Sequence, residues 1–261
     1  MSETRVALVT GSTSGIGRDI ALALSGKGFD IVVNGFGAPA EIEQVVKECK
    51  EKGARKVEYH GADLSDVKQI VQMFEFLREK FGRGPDVLVN NAGIQHVAPL
   101  EDYPVHMWDK MVAINLTAPF HTTRLAIKEM KERGWGRIIN IASVHGLVSS
   151  INKVPYTSTK HGLVGMTKAV ALETAGSGVT CNVICPGFVL TPLLVPQVED
   201  IMKREGVSFD EAKVKLLGPK QPSKEFVHPH EVSSMVLYLC GDDAKQITGS
   251  SLTIDGGWTA Q

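Results

Sequence analysis

"VTGSTSGIGRDIALAL", residues 9–24, leaves a short apolar run, turns through three glycines and settles into a helical pattern. The run before it, "VALV" (6–9), is β-branched and too short for anything but a buried strand. Gly11, Gly15 and Gly17 let the backbone turn tightly and approach a ligand closely. The following helix then offers free N–H groups and the positive end of its dipole, with Thr13, Ser14 and Ile16 completing the loop. A strand, a glycine turn and a helix in this order make a cradle for the pyrophosphate of a dinucleotide. The spacing is G-x-x-x-G-x-G, not the G-x-G-x-x-G fingerprint, so the loop alone also fits a purely structural turn. The rest of the chain decides.

Outward from this loop the same alternation repeats. "DIVVN" (30–34), "KVEYH" (56–60), "DVLVN" (86–90), "GRIINIA" (136–142), "GVTCNVIC" (178–185) and "SLTID" (251–255) read as strands, and helical segments such as "DVKQIVQMFEFLREKFG" (66–82) separate them. Strands apolar on both faces, alternating with helices, predict an α/β, doubly wound Rossmann-type fold: a seven-stranded parallel sheet with helices on both faces. The chain is expected to be one domain over 1–261, with a small helical substrate lid within about 187–228. That proline-rich stretch carries an amphipathic piece, "SFDEAKVKLLG"; a surface insertion without function is the other reading.

With 261 residues, 43% of them hydrophobic, the chain can bury a large core, and its net charge of -1 argues against nucleic acid or an acidic membrane surface as a partner. The four cysteines, Cys49, Cys181, Cys185 and Cys240, form no C-x-x-C pair; they read as small buried hydrophobes in a reducing compartment, and no metal is expected. Neither a signal peptide nor a stretch of ~20 apolar residues is present, so a cytoplasmic location is expected.

Cofactor choice turns on the end of the second strand. An acidic residue there would hold a ribose diol and an arginine a 2′-phosphate, whereas "NGFGAPAE" has neither at that place. With Ser14 in the loop and no cation placed for an extra phosphate, NAD is expected. Phe36 is expected near the adenosine, and Asp63, followed by Leu64, at the adenine amino group.

"YTSTK" (156–160) places a phenol and an ammonium one helical turn apart. A free tyrosine titrates near ~10, too high for an effective base at neutral pH, and a neighbouring cation would lower it. By itself such a pair is also ordinary helix decoration. Taken in order, "TGSTSGIG" (10–17), "NNAG" (90–93), Asn115, Ser143, "YTSTK" and "PGFVLT" (186–191) closely resemble the short-chain dehydrogenase/reductase family over nearly the whole chain.

The resemblance implies a catalytic group of Asn115, Ser143, Tyr156 and Lys160: Tyr156 as acid/base, Ser143 polarising the substrate oxygen, Lys160 lowering the tyrosine pKa, and Asn115 holding a water behind Lys160. It also implies that Asn90, Ala92 and Gly93 abut the cofactor, as do Pro186, Gly187, Val189 and Thr191, with Thr191 at the nicotinamide end. Within the family, the surrounding residues are similar to enzymes that oxidise short (R)-3-hydroxy acids. That likeness implies a substrate carboxylate held by Gln95, His145, Lys153 and Gln197, and a methyl end bounded by Trp258 and by Phe188 where a second tryptophan is usual. A solvated loop lysine and a histidine bonded to backbone are the alternatives at 153 and 145. The family also implies a homotetramer built on the long helices around "NLTAPFHTTRLAIKEM" and "YTSTKHGLVGMTKAVALETA". Two rivals stay open: a reductase of another 3-oxo substrate, such as an acyl thioester or cyclic ketone, and an idle NAD-binding sensor.

Overall fold

The computed structural model describes residues 4–192 and 194–261. Seven strands form one parallel sheet: β1 (Val6–Val9), β2 (Asp30–Asn34), β3 (Val57–His60), β4 (Val87–Asn90), β5 (Gly136–Ile141), β6 (Val179–Pro186) and β7 (Ser251–Ile254). Their order is 3-2-1-4-5-6-7. The chain therefore reverses its direction of winding between β1 and β4, and a crevice opens at the carboxyl ends of those two strands. All seven expected strands are present, each within a residue or so of its expected bounds.

Side-chain alternation along the strands sorts the core into two layers. Ala7, Val9, Ile31, Val33, Val87 and Val89 face α1 (Gly15–Ser25), α2 (Pro39–Lys52) and α9 (Pro229–Cys240), meeting Ile20, Leu24, Val45, Val236 and Leu239. Val6, Leu8, Val32, Leu88 and Ile138 face the other way. They meet Ile70, Phe74 and Leu77 of α3 (Val67–Phe81), Met130 of α5 (Ala118–Arg133) and Ala171 of α6 (Val154–Thr174). Cys181 and Cys185 pack into the α5–α6 side, and all four cysteines are free and buried.

Between β6 and α9 two further helices stand above the sheet edge, α7 (Val195–Glu205) and α8 (Phe209–Leu217). They have a small core of their own, Leu194, Val198, Ala212, Leu217 and Phe226. The neck of the insertion is closed by a parallel bridge between Val189 and Val227, with Val227 N–H donating to the Phe188 carbonyl at 2.9 Å. The sequence pattern had announced α8 but not α7, which begins among the prolines.

Candidate active site

A cavity of about 400 Å³ lies in the crevice between the β1 and β4 ends. Gly11 and Gly15 adopt left-handed backbone (φ +62° and +54°), which carries the loop from β1 into α1. Gly17 packs so tightly that a Cβ there would sit 2.3 Å from the Gly11 carbonyl oxygen. Asn91 fastens the same turn: its Nδ2 donates to the carbonyls of Thr10 (2.9 Å) and Gly11 (3.1 Å). No side chain caps the N-terminus of α1, and Ser14, Gly15 and Ile16 line the crevice there. The amino end of the helix is thus left to an anion.

Thr13 Oγ1 donates to the Phe36 carbonyl at 2.7 Å and ties the loop to the end of β2. Phe36, 66% exposed, forms the outer wall, and Asp63 and Leu64 form the opposite one. The Asp63 carboxyl is held below its ordinary pKa chiefly by its hydrogen bonds with Ser65, so it stands ionised as an acceptor. Among the described residues lining this cavity, Lys160 is the only cation. Arg18, on α1, is engaged by Glu48. The adenosine end therefore suits a diphosphate with an unsubstituted ribose and has no group placed for a 2′-phosphate.

Not every expected cofactor contact lies in this wall. Ala92, Gly93 and Thr191 do, whereas the Asn90 side chain turns beneath the floor. Its Oδ1 accepts from Thr122 (2.6 Å) and its Nδ2 donates to Asn140 (2.8 Å), because a buried amide must find partners where the strand end places it. Pro186, Gly187 and Val189 line a second, smaller cavity, which Ile16 and Thr191 share with the first.

That second cavity holds about 120 Å³, room for about four waters at ~30 Å³ each. Gln95, Ser143, His145, Lys153, Tyr156, Phe188, Gln197 and Trp258 all line it. Local structure explains several of these placements. Gln95 follows Ile94, whose N–H and C=O are both bound by the Asn115 side chain at 2.9 and 3.0 Å. Lys153 follows Asn152, which takes the left-handed conformation (φ 63°) that asparagine tolerates. Trp258 sits on a short turn held by the Asp255 carboxylate, which accepts from the Gly257 and Thr259 N–H groups. Phe188 stacks on Trp258 with ring centroids 5.0 Å apart.

Tyr156 stands at the junction of the two cavities, and Lys160 lines the larger one. Lys160 Nζ donates to the Ile141 carbonyl at 2.9 Å and lies 5.6 Å from the Tyr156 ring centre. Burial lowers the ammonium to about 8, and burial raises the phenol to about 12 against a Ser143 hydrogen bond that pulls it down. In the protein alone desolvation is thus the larger influence on the phenol and the Ser143 hydrogen bond the smaller. Asn115 sits in a π-helical turn (Ala113–Thr117), and Pro119 has no N–H to give the carbonyl four residues back. The Asn115 side chain itself is spent on Ile94.

His145 is held on every side. Nδ1 lies 3.3 Å from Ser143 Oγ, Nε2 lies 2.9 Å from Ser150 Oγ, and the ring meets Tyr156 and Trp258 edge-on. Burial first, then Lys153 and Lys220, press its pKa down to about 3. Lys153 is lowered to about 8 by burial and then by Lys220. No acidic residue lines the small cavity, and among the described residues neither Lys153 nor Lys160 nor Lys220 has an ion-pair partner.

Residues 5–201 match the family model described as short chain dehydrogenase. The chain is 52% identical to a D-beta-hydroxybutyrate dehydrogenase of Cupriavidus necator, covering 100% of both proteins. It is 50% identical to one of Rhizobium meliloti, covering 99% of this chain and 100% of that protein. Among solved structures it is similar to an actinorhodin polyketide ketoreductase variant with NADPH (TM-score 0.91, 36% identity, covering 100% of this chain and 99% of the other).

Proposed function

The chain belongs to the short chain dehydrogenase family, and from that premise we propose that it is an oxidoreductase interconverting (R)-3-hydroxybutyrate and acetoacetate with NAD. One observation carries the choice of substrate: Lys153 stands half-buried in a small cavity whose lining, among the described residues, has no acid. Such a site is short of one negative charge, and a four-carbon hydroxy acid brings it. Gln95 and Gln197 add neutral donors, and the Phe188–Trp258 pair bounds an apolar end.

In the reaction Tyr156 takes the hydroxyl proton when the alcohol is oxidised and returns it in the reverse direction. Ser143 donates to the oxygen that becomes the carbonyl, where negative charge develops. Lys160, fixed by the Ile141 carbonyl, holds positive charge near the phenol, and Asn115 holds a water that extends the proton path. The β1–α1 loop, Phe36 and Asp63 would hold NAD, which when bound would supply the hydride acceptor. The insertion bearing α7 and α8 serves as the lid, since Gln197 and Phe188 reach the cavity from it and its root.

We also propose a homotetramer in the cytoplasm. Phe120 on α5 and Leu172 on α6 (50% and 80% exposed) give those helices apolar outer faces suited to another copy, and light scattering on the purified protein reads the mass. No helix among the described residues is long and apolar enough to cross a membrane.

The deciding experiment is NADH formation from each enantiomer of 3-hydroxybutyrate. Turnover of the (R)-acid with NAD, at a rate well above the (S)-acid, is expected. Faster reduction of an acyl thioester with NADPH would replace this reading with the rival reductase, and NAD binding without any turnover would favour the sensor.

A further inference from the structure

Outside the expected set, one chain of polar groups leads out of the small cavity. Lys220 Nζ donates to Ser150 Oγ at 2.7 Å; Ser150 Oγ is 2.9 Å from His145 Nε2; and His145 Nδ1 is 3.3 Å from Ser143 Oγ. We propose that Lys220 and Ser150 are positioning residues that hold His145 in its Nδ1–H tautomer and so turn the Ser143 hydroxyl proton toward the reacting oxygen. The inference rests on the proposed reaction only for what Ser143 then does.

Donor and acceptor counting gives the direction. A lysine ammonium only donates, so Ser150 Oγ is its acceptor and keeps one proton of its own to give. Neutral His145 carries a single N–H. Were that proton on Nε2, it would point at an oxygen already facing an ammonium, and the Ser150 proton would have to leave the line. With the proton on Nδ1, each donor meets an acceptor: Lys220 to Ser150, Ser150 to Nε2, and Nδ1 to Ser143. Ser143 Oγ also accepts the His145 backbone N–H at 3.2 Å, so both its lone pairs are filled from the histidine side. Its own proton can then only point outward, to the Tyr156 oxygen in the free protein and to the substrate oxygen in the complex.

The ring cannot escape by turning over, because Tyr156 and Trp258 hold its edges at centroid distances of 5.8 and 5.4 Å. Lys220 itself lies against Trp258, 5.4 Å from the ring centre, and is not among the residues lining the cavity. With both ring nitrogens paired inside the free protein, His145 acts through Ser143.

Magic-angle-spinning ¹⁵N NMR on ¹⁵N-histidine-labelled protein, assigned with His145→Gln, reads the tautomer directly and without substrate. The wild-type protein is expected to show Nδ1–H. Lys220→Met and Ser150→Ala should each move the proton to Nε2 in part or whole and lower kcat by about 10-fold, leaving KM for the hydroxy acid within about 3-fold. Lys220→Arg, which restores a donor to Ser150, should restore both. An Nε2–H signal in the wild-type protein overturns the proposal, and so does an unchanged tautomer in a folded Lys220→Met or Ser150→Ala variant. A rise in KM alone would make Lys220 a carboxylate ligand instead. If the substrate assignment were wrong, turnover would fail and the tautomer result would still stand.

Discussion

Tyr156 illustrates how far a residue's chemistry depends on what surrounds it. Burial holds its phenol near 12 in the protein alone, although a cation lies one turn away. A difference-absorbance titration of wild type against Tyr156→Phe should therefore show no Tyr156 phenolate below about pH 10 without NAD. The same variant should lose about 10²–10⁴-fold in kcat and keep its affinity for NAD. Lys153→Met should instead raise KM for the hydroxy acid by about 10- to 100-fold, the worth of a charge-assisted hydrogen bond. Lys160 carries a measurable stability cost. The fall from the ordinary 10.5 to about 8 amounts to roughly 3 kcal/mol. Because the folded pKa is lowered, the cost is complete below pH 8 and is relieved as pH rises toward 10.5, where the unfolded chain also loses its proton. Lys160→Met should accordingly be more stable than wild type at pH 7, by up to that amount, and lose the advantage above about pH 10.5 in denaturant titrations.

Among the elements, the β1–α1 turn is the least forgiving. A methyl group on Gly17 would strike the Gly11 carbonyl and the Asn91 amide together. Gly17→Ala should shift the loop and raise KM for NAD by at least about 10-fold, while KM for the acid changes little; equal KM values for NAD in the two proteins would refute the packing argument. Strands such as "DIVVN" were legible in the sequence because a parallel strand is apolar on both faces and needs no partner to be recognised. The helix at 195–205 was not, since prolines hide its start and its apolar face packs on α8, a tertiary contact. The candidate site was legible where a family pattern reaches it, in that the residues expected around the substrate all line one small cavity. It was illegible where roles depend on distant partners: Asn90 faces away because Thr122 and Asn140 wait below the floor, and Ser150 meets Lys220 from 70 positions away.

At the level of the whole molecule, a nearly neutral chain, net charge -1, sets Lys153 in the small cavity with Lys220 near enough to lower its pKa, and among the described residues no acid lines that cavity. Low-dielectric walls focus such a field and draw anions in. Raising ionic strength from about 0.01 M to about 1 M shortens the Debye length from ~30 to ~3 Å and should lower kcat/KM for the hydroxy acid severalfold. An unchanged kcat/KM would place the charge effect wholly at contact range.

The reversal of winding between β1 and β4 also fixes when the crevice can come into being. Asp86 accepts the Val6 N–H across 80 positions, and β4 pairs directly with β1. A chain emerging from the ribosome carries its glycine turn early but has only half of the walls until that long closure succeeds. Nucleotide affinity should therefore arrive late and all at once in refolding, after the slow step and not ahead of it.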